Sequence, residues 1–339
     1  MKILVVGDGH SEIHEIAVAG AFRQLGHDVR EFYWHRYFPC KKNSTWLRLQ
    51  DKFILGPRIG RLNADLAAEA VRFAPDLMFV YRGTHVLPST LGRLKTQLPR
   101  CRVLGYNNDD PFAAKQPRWP WRYFLKGLPL YDAVFAYRGH NVSHFLRAGA
   151  KRAELLMPWF IPERDRPGDA ANRFRYDVVF VGHYENDHRL IYLKALTESG
   201  IDFRLFGPEW ERAPRSDWLA KLGPIRAVRG EEYRNTLCSA RIALCFFSKL
   251  NRDTYTRRCF EIPATRTMML CEYSEDAARL YKEGEEAEFF RTPEEMIEKI
   301  RKYLANEPLR ASVAEAGYRR VHRDGHDVVS RMRAVLYAA

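Results

Sequence analysis

The sequence predicts an α/β fold made of two Rossmann-like domains, each with a parallel sheet wound by helices on both faces. Three observations support this prediction. Apolar strand-like runs alternate with helix-like runs in the first half of the chain, a polar and proline-rich break follows, and the same alternation then restarts. The 339 residues are also enough for two hydrophobic cores.

The first half begins with an apolar strand and continues as a regular alternation of strands and helices. Turns rich in Gly, Pro, Asn and Asp separate these elements. This half is expected to form a domain over residues 1–160. Its predicted strands cover residues 2–6, 29–33, 77–81, 103–106 and 133–137, and its predicted helices cover 12–25 and 57–73.

Residues 158–175 contain three prolines, one glycine and many charges without a regular period, so an interdomain linker is expected there. The second domain is expected over residues 176–325, and residues 326–339 are expected to form a helix that returns to the first domain. The predicted strands of this half are 177–181, 203–206, 225–228, 242–246 and 268–271, and the predicted helices are 188–199, 293–305, 308–322 and 328–337.

The charge of the chain favours an anionic partner. Its formal net charge is +13, which suits a nucleotide, an anionic glycan or a membrane surface. The basic residues are spread along the chain and no nucleic-acid-binding motif is present, so nucleic acid is not the expected partner.

The composition also indicates a compartment. The chain has no run of 18 apolar residues and no signal-peptide layout at its start. None of its cysteines forms a C-x-x-C pair, so a reducing cytoplasm is expected. The six cysteines are Cys40, Cys101, Cys238, Cys245, Cys259 and Cys271.

Residues 118–126 interleave aromatic side chains with cations. This pattern suits the headgroup boundary of a membrane or the face of a carbohydrate. The alternative is an aromatic helix that packs on its own domain with its charged ends in solvent. A peripheral contact with the inner face of the membrane is therefore left open.

Residues 253–261 combine two acidic side chains, eight positions apart, with two arginines between them. A helix beginning near Arg257 would place Arg258 and Glu261 in its first turns, where unpaired backbone N–H groups favour a phosphate. The arginines can neutralise a diphosphate, and Glu261 can accept hydrogen bonds from vicinal hydroxyls. The alternative is an amphipathic helix whose charges are solvated or paired with one another.

This segment and the apolar run that follows it resemble the R-x-F-E-x-x-A-x-G-x-x-L-L stretch of the CgeB-like glycosyltransferases, bacterial proteins named for a spore-surface maturation protein. Glu261 and Asp253 stand where nucleotide-sugar glycosyltransferases of the GT-B fold carry the two glutamates of an E-x7-E motif. Two residues depart from the pattern, because Arg266 occupies the family's glycine and Asp253 replaces a glutamate. The resemblance implies a GT-B fold, with two Rossmann-like domains facing across a cleft.

Looser matches extend the resemblance over residues 177–331. They imply that the turn after Gly182 approaches the donor diphosphate and that Tyr233 lies near the nucleotide base. Arg257 and Arg258 would stabilise the diphosphate leaving group, and Glu261 would bind the ribose. The residues implied to bind the donor are Gly182, His183, Arg189, Gly207, Tyr233, Asp253, Arg257, Arg258 and Glu261.

Several loops of the first domain follow predicted strands and are expected to bind the acceptor. The first of them offers G-x-G, but Glu12 replaces the third glycine of a dinucleotide fingerprint and Asp8 would repel a pyrophosphate, so NAD binding is disfavoured. A helix-capping turn is the alternative role for this loop. The expected acceptor-side residues are Gly9, His10, His85, Asn108 and Asp109.

Two of these side chains are candidate general bases. A histidine titrates near neutral pH and can take the acceptor's proton, and inverting GT-B enzymes carry a histidine in a place similar to that of His10. The paired aspartates after the strand 103–106 can raise one another's pKa, or they form only a turn. The expected catalytic residues are His10, Asp109 and Arg258.

No D-x-D motif after a strand and no Cys/His motif points to a metal. Arginines and helix N-termini can stabilise a leaving diphosphate without one. The sequence therefore predicts a metal-independent glycosyltransferase whose donor is a nucleoside-diphosphate sugar, with no separate cofactor. The acceptor is left open among glycans, lipid-linked molecules, proteins and small molecules. Two alternatives are a non-catalytic glycan- or surface-binding relative and a sugar-nucleotide epimerase.

Overall fold

The computed structural model describes residues 1–38, 45–114, 117–168 and 174–338. The chain divides into two compact units, Met1–Met157 with Val328–Ala339, and Pro158–Asp327. Cys40 and residues 169–173 of the expected linker lie outside the described residues.

The first unit is built on a six-stranded parallel sheet with the strand order β2-β1-β3-β4-β5-β6. Its strands are Lys2–Gly7 (β1), Asp28–Tyr33 (β2), Leu77–Tyr81 (β3), Arg102–Asn107 (β4), Ala133–Ala136 (β5) and Ala153–Leu155 (β6). Its helices are Glu15–Gln24 (α1), Thr45–Phe53 (α2), Pro57–Phe73 (α3), Pro88–Gln97 (α4), Arg122–Gly127 (α5) and Gly139–Arg147 (α6).

The central strands of this sheet are buried on both faces. All five residues of β3 are buried, as are the last five of β1. Leu4 and Val6 of β1 and Met78 and Val80 of β3 share one core cluster with apolar side chains of the helices. A parallel strand covered on both faces has a continuous apolar sequence, which is why these two strands are visible in the sequence.

The second unit is built on a five-stranded parallel sheet with the order β11-β10-β9-β7-β8. Its strands are Tyr176–Val181 (β7), Phe203–Phe206 (β8), Ala240–Cys245 (β9), Met268–Glu272 (β10) and Glu288–Phe290 (β11). Its helices are Arg189–Glu198 (α7), Asp217–Lys221 (α8), Gly230–Cys238 (α9), Arg258–Ala264 (α10), Glu275–Leu280 (α11), Pro293–Ala305 (α12) and Glu307–Arg323 (α13).

The last helix, Val328–Ala338 (α14), belongs to the first unit and contacts α1 there. None of the helices in the described part of the chain has the length and apolar character that crossing a membrane requires.

Two of the predicted segments differ from the structure. Residues 225–228 are not a strand, and Arg226 O of this segment accepts a 3.0 Å hydrogen bond from Gly207 N in the turn after β8. The beginning of the expected linker is part of the second unit, where Trp159, Phe160 and Asp165 are buried. Burial of these aromatic rings outweighs the polar composition around them.

Candidate functional site

The carboxylate of Glu261 is the centre of a buried ion-pair cluster in the second unit. Glu261 lies in α10 and is 4% exposed. Its Oε1 accepts hydrogen bonds from Arg257 Nε at 2.5 Å and from Arg164 Nη2, and its Oε2 accepts one from the Tyr233 hydroxyl at 2.8 Å. Arg164 is held in turn by Asp165, whose Oδ1 lies 2.7 Å from Arg164 Nε.

This cluster keeps Glu261 ionised. Burial opposes the charged form, but the charges of Arg257 and Arg164 and the hydrogen bonds from Arg257 and Tyr233 lower its pKa to about 2. The side chain is therefore a permanent anion between two permanent cations at neutral pH.

The same contacts change the expected role of Glu261. A carboxylate offers about four acceptor positions, and the three hydrogen bonds from Arg257, Arg164 and Tyr233 fill most of them. Binding both hydroxyls of a ribose therefore requires that a present partner be displaced. In this structure Glu261 orients Arg257 and Tyr233. Sequence reasoning missed Arg164, because it lies 97 residues from Glu261.

The two expected phosphate-binding arginines lie where α10 begins. Arg257 is the N-cap residue and Arg258 the first residue of the helix, as predicted. The helix has only seven residues and contains Pro263, so its dipole is small and the arginines supply most of the positive charge. The Arg258 guanidinium carbon lies 5.6 Å from the centroid of the Phe180 ring. Asp253 lies in the loop before α10, where its N–H donates to Ser248 O at 2.9 Å.

Arg189 does not project toward a donor. Its side chain is 1% exposed and forms ion pairs with Asp187 at 2.8 Å and Glu185 at 3.2 Å. Its Nη1 also donates to the His183 carbonyl at 3.3 Å. The sequence expectation for Arg189 is corrected, because these buried acceptors hold the guanidinium inside the loop between β7 and α7.

The two glycines of the expected diphosphate loop serve the packing of two turns. Gly182 N donates to Phe206 O at 2.9 Å, so this N–H is not available to a phosphate. A Cβ on Gly207 would lie 1.9 Å from Gly182 O. Trp210 Nε1 donates to the same carbonyl at 2.9 Å. The close approach of the backbones explains Gly207, and the Phe180 ring, 2.5 Å from a Cβ on Gly182, explains Gly182, without a ligand.

Acidic residues that the sequence analysis did not select follow the carboxyl ends of β7 and β10. Glu185 accepts hydrogen bonds from His183 Nε2 at 2.7 Å and Ser248 Oγ at 2.9 Å. Burial opposes its ionisation, but His183, Arg189 and Ser248 lower its pKa to about 2. Glu272 lies at the end of β10 and binds His188 Nε2 at 2.9 Å. Both carboxylates anchor the loops around the edge of the sheet.

In the first unit, the loop after β4 carries two aspartates with different surroundings. Asp109 forms an ion pair with Arg82 at 2.5 Å. The Asp110 side chain is fully buried, and its Oδ1 accepts from Asn141 Nδ2 at 2.9 Å while its Oδ2 lies 3.2 Å from His140 Nε2. His140 is 31% exposed and lies at the start of α6. A histidine held by a buried carboxylate is a suitable general base, and sequence reasoning missed it.

The expected acceptor-side residues take different positions. His10 is 60% exposed and its ring centroid lies 4.7 Å from that of His35. His85 stacks on Trp34 at 5.1 Å, and burial together with the charge of Arg82 lowers its pKa to about 4. His85 is therefore a packed neutral side chain, which corrects its expected role.

Glu15 holds the backbone of the loop that follows β1. This buried side chain accepts a hydrogen bond from Gly9 N, and burial raises its pKa. Gly9 has a φ of 84°, a conformation that favours glycine. The carbonyl of Asn108 accepts a 3.0 Å hydrogen bond from Arg138 Nη1. Gly9 and Asn108 thus contribute backbone geometry to this edge of the sheet.

Three buried thiol groups also lie close together in the second unit, although no sequence motif predicted them. The sulfur atoms of Cys245, Cys259 and Cys271 lie within 4.8 Å of one another. They come from β9, α10 and β10. Thiolates are ligands for soft metal ions, and no local spacing of the cysteines in the sequence indicated that these three would meet.

The chain resembles known proteins in one sequence segment and in its whole fold. Residues 189–337 match a protein-family model described as "Glycosyl transferase-like". The structure of HepE from Anabaena in complex with UDP and glucose matches with a TM-score of 0.68 at 13% identity, over 100% of this chain and 99% of that chain. Sucrose-phosphate synthase from Thermosynechococcus elongatus matches with a TM-score of 0.68 at 12% identity, over 100% and 98% of the two chains.

The chain has the GT-B fold. The predicted fold class is thereby confirmed. The GT-B fold also occurs in a putative UDP-N-acetylglucosamine 2-epimerase from Listeria monocytogenes, which matches with a TM-score of 0.61 at 12% identity, over 99% of this chain and 95% of that chain. No curated protein shows significant sequence similarity to the chain. In this GT-B chain, the segment with the family match contains α10 with Arg258 and Glu261.

Proposed function

We propose that the chain is a CgeB-like glycosyltransferase that moves a sugar from a nucleoside-diphosphate sugar to an acceptor hydroxyl without a metal ion. One observation carries the proposal. The segment that matches a glycosyltransferase family model contains Arg258 together with Arg257 and Glu261, at the carboxyl end of a doubly wound parallel sheet. Ligands of such sheets bind at this end of the strands.

The structural neighbours support the class of donor. HepE from Anabaena was solved with UDP, with UDP-glucose, and with UDP and glucose. Transfer from a nucleoside-diphosphate sugar adds a negative charge to the departing diphosphate, because the electrons of the broken bond stay with its oxygen. Arg257 and Arg258 supply positive charge for this group, which is the role that a divalent metal has in other transferases.

Glu261 has a positioning role in this proposal. Its carboxylate fixes the Arg257 guanidinium at 2.5 Å and the Tyr233 hydroxyl at 2.8 Å. A guanidinium held by a buried carboxylate keeps its orientation before the donor arrives, and such preorganisation lowers the cost of binding. Ribose can then be bound by Glu261 only after one of its hydrogen bonds is exchanged.

The first unit supplies the acceptor side. Asp110 and His140 form the pair best suited to take the acceptor's proton, because a buried carboxylate orients an accessible imidazole. Asp109 is held in the ion pair with Arg82, so its carboxylate is less available to an acceptor hydroxyl. His10 is exposed and is retained as a further candidate. The acceptor is a hydroxyl group of a glycan, a lipid-linked molecule, a protein or a small molecule.

Calorimetry with UDP, GDP, dTDP and ADP tests the donor site. We expect one of these diphosphates to bind, and Arg258→Ala to weaken its binding by about 1.5–3 kcal/mol, the scale of a charged hydrogen bond. Binding of the corresponding nucleoside should change much less. Arg279→Ala is the matched control, because Arg279 is an arginine of α11 that is 73% exposed and pairs with Glu275 and Asp276 of its own helix.

Two results would overturn the proposal. If none of the four diphosphates binds to the folded wild-type chain, the site is not a donor site and a glycan- or surface-binding protein is indicated. If Arg258→Ala weakens diphosphate and nucleoside equally, Arg258 does not meet the phosphates.

A product assay then identifies the reaction. The assay uses sugar donors that carry the nucleotide found to bind, together with an added acceptor. Transfer to the acceptor is expected to continue in the presence of EDTA at the rate measured without EDTA. Conversion of the donor to its epimer, with no transfer, would instead assign an epimerase.

A further inference from the structure

Helix α2 of the first unit presents large apolar side chains to solvent. Trp46, Leu49 and Phe53 recur at helical spacing and are 68%, 44% and 40% exposed. Leu55 follows the helix and is 49% exposed. Every residue of α2 is exposed or half-buried, so this helix adds little to the core. A contiguous apolar patch on the surface indicates an interaction site.

The patch continues onto the segment before α5. The Phe53 ring centroid lies 5.2 Å from that of Trp119. Arg122 Nη2 donates to the carbonyl of Ile54 at 2.8 Å, which joins the end of α2 to this segment. We call the resulting patch the α2 surface, and it consists of Trp46, Leu49, Phe53, Leu55 and Trp119.

The α2 surface has a strongly cationic border. Asp51 is the one acidic residue among residues 45–58 and 117–126, and it is paired with Arg58 at 2.6 Å. The Lys52 ammonium lies 5.7 Å from the Phe53 ring centroid, so its apolar stem runs along the patch. The six basic residues of these two segments are Arg48, Lys52, Arg58, Arg118, Arg122 and Lys126.

We propose that the α2 surface binds the headgroup region of an anionic phospholipid bilayer. Tryptophan and phenylalanine enter the boundary between headgroups and acyl chains, and cations around them attract anionic lipids. A second copy of the chain is a poorer occupant, because a two-fold contact would place this cationic border against itself. The proposal is independent of the reaction that the chain catalyses.

Sedimentation with lipid vesicles tests the proposal on the full chain. We expect binding to vesicles of phosphatidylcholine with phosphatidylglycerol, much weaker binding to phosphatidylcholine alone, and loss of binding at high salt. Trp46→Ser with Leu49→Ser should abolish sedimentation, and Arg48→Glu should weaken the partition coefficient at least about fivefold. Ile191→Ser is the control, because Ile191 of the second unit is 64% exposed and lies outside the α2 surface.

The variants change exposed side chains, and circular dichroism with a thermal melt will verify that they remain folded. Equal sedimentation of Trp46→Ser/Leu49→Ser and wild type would overturn the proposal, as would equal binding to neutral and anionic vesicles. A dimer of the wild type that dissociates in this double variant, without any vesicle binding, would instead assign the surface to a second copy of the chain.

Discussion

The hydroxyl of Tyr233 donates a 2.8 Å hydrogen bond to Oε2 of Glu261. The two residues lie in α9 and α10 and are 28 positions apart in the chain. This bond couples two side chains that the sequence analysis had treated as separate donor contacts. A ribose hydroxyl that binds Oε2 in place of Tyr233 would therefore release the tyrosine hydroxyl.

Replacing Glu261 with glutamine should destabilise the second unit. The neutral amide removes the charge that Glu261 presents to Arg257 and Arg164, and removal of one partner from a buried ion pair costs about 3 kcal/mol. Urea unfolding followed by tryptophan fluorescence measures the effect. Glu232→Gln is the control, since its pair with Arg226 is exposed and should contribute little. Wild-type stability in Glu261→Gln would show that the cluster does not stabilise the fold.

His85 should make the stability of the first unit depend on pH. Its folded pKa of about 4 lies below the unfolded value of about 6.5, so the unfolded chain binds a proton that the folded chain does not bind. The free energy of unfolding is therefore unaffected by His85 titration above about pH 6.5, and it falls by about 2–3 kcal/mol as the pH is lowered toward 4.

Unfolding at pH 7.5 and at pH 5 will test the role of His85. The wild type should lose stability relative to His85→Phe at the lower pH, because phenylalanine keeps the contact with Trp34 and does not titrate. His10→Gln, which replaces an exposed histidine of the same unit, is the control for the loss of a histidine. An unchanged difference between wild type and His85→Phe would contradict the prediction.

Arg266 occupies a left-handed turn, at the position where the CgeB-like family has glycine. Its φ is 58°, and its side chain lies 3.1 Å from Glu315 Oε2 and 4.4 Å from the Tyr318 ring centroid. Left-handed backbone costs a residue other than glycine about 1 kcal/mol, which the exposed ion pair partly offsets. The free energy of unfolding of Arg266→Gly should therefore lie within about 1 kcal/mol of the wild-type value. Arg266→Ala keeps the strain without these contacts and should be less stable than Arg266→Gly; the reverse order in thermal melts would refute this account.

His140 should affect turnover more than donor binding. If its imidazole takes the acceptor's proton, His140→Gln lowers kcat about 100-fold and removes one limb of the pH–rate profile. Asp110→Asn should have a similar but smaller effect, because it releases the orientation of the ring. His27→Gln is the control in the same unit. If Asp109→Asn instead causes the larger loss of kcat with unchanged nucleotide affinity, Asp109 is the base.

Both parallel sheets and the start of α10 could be predicted from the sequence. The β-α alternation predicted both parallel sheets, because strands such as β1, β3 and β7 are covered on both faces and carry unbroken apolar runs. The start of α10 at Arg257 and Arg258 was also predicted from local composition. The three-residue strands β6 and β11 were missed, because so short a run has no recognisable period.

The tertiary structure alone decided which side chains meet. Arg164 contacts Glu261, 97 positions away in the chain, and His140 contacts Asp110, 30 positions away. No local spacing in the sequence predicts either contact. The order β10-β9-β7 brings Cys245 beside Cys271, and α10 adds Cys259. Propensity and hydrophobic period depend on neighbours along the chain, whereas the partners of a buried charge depend on which strands and helices are adjacent in space. The sequence by itself therefore determined the fold class and the position of α10, and the packing of the second unit determined that Glu261 is engaged by two arginines and a tyrosine.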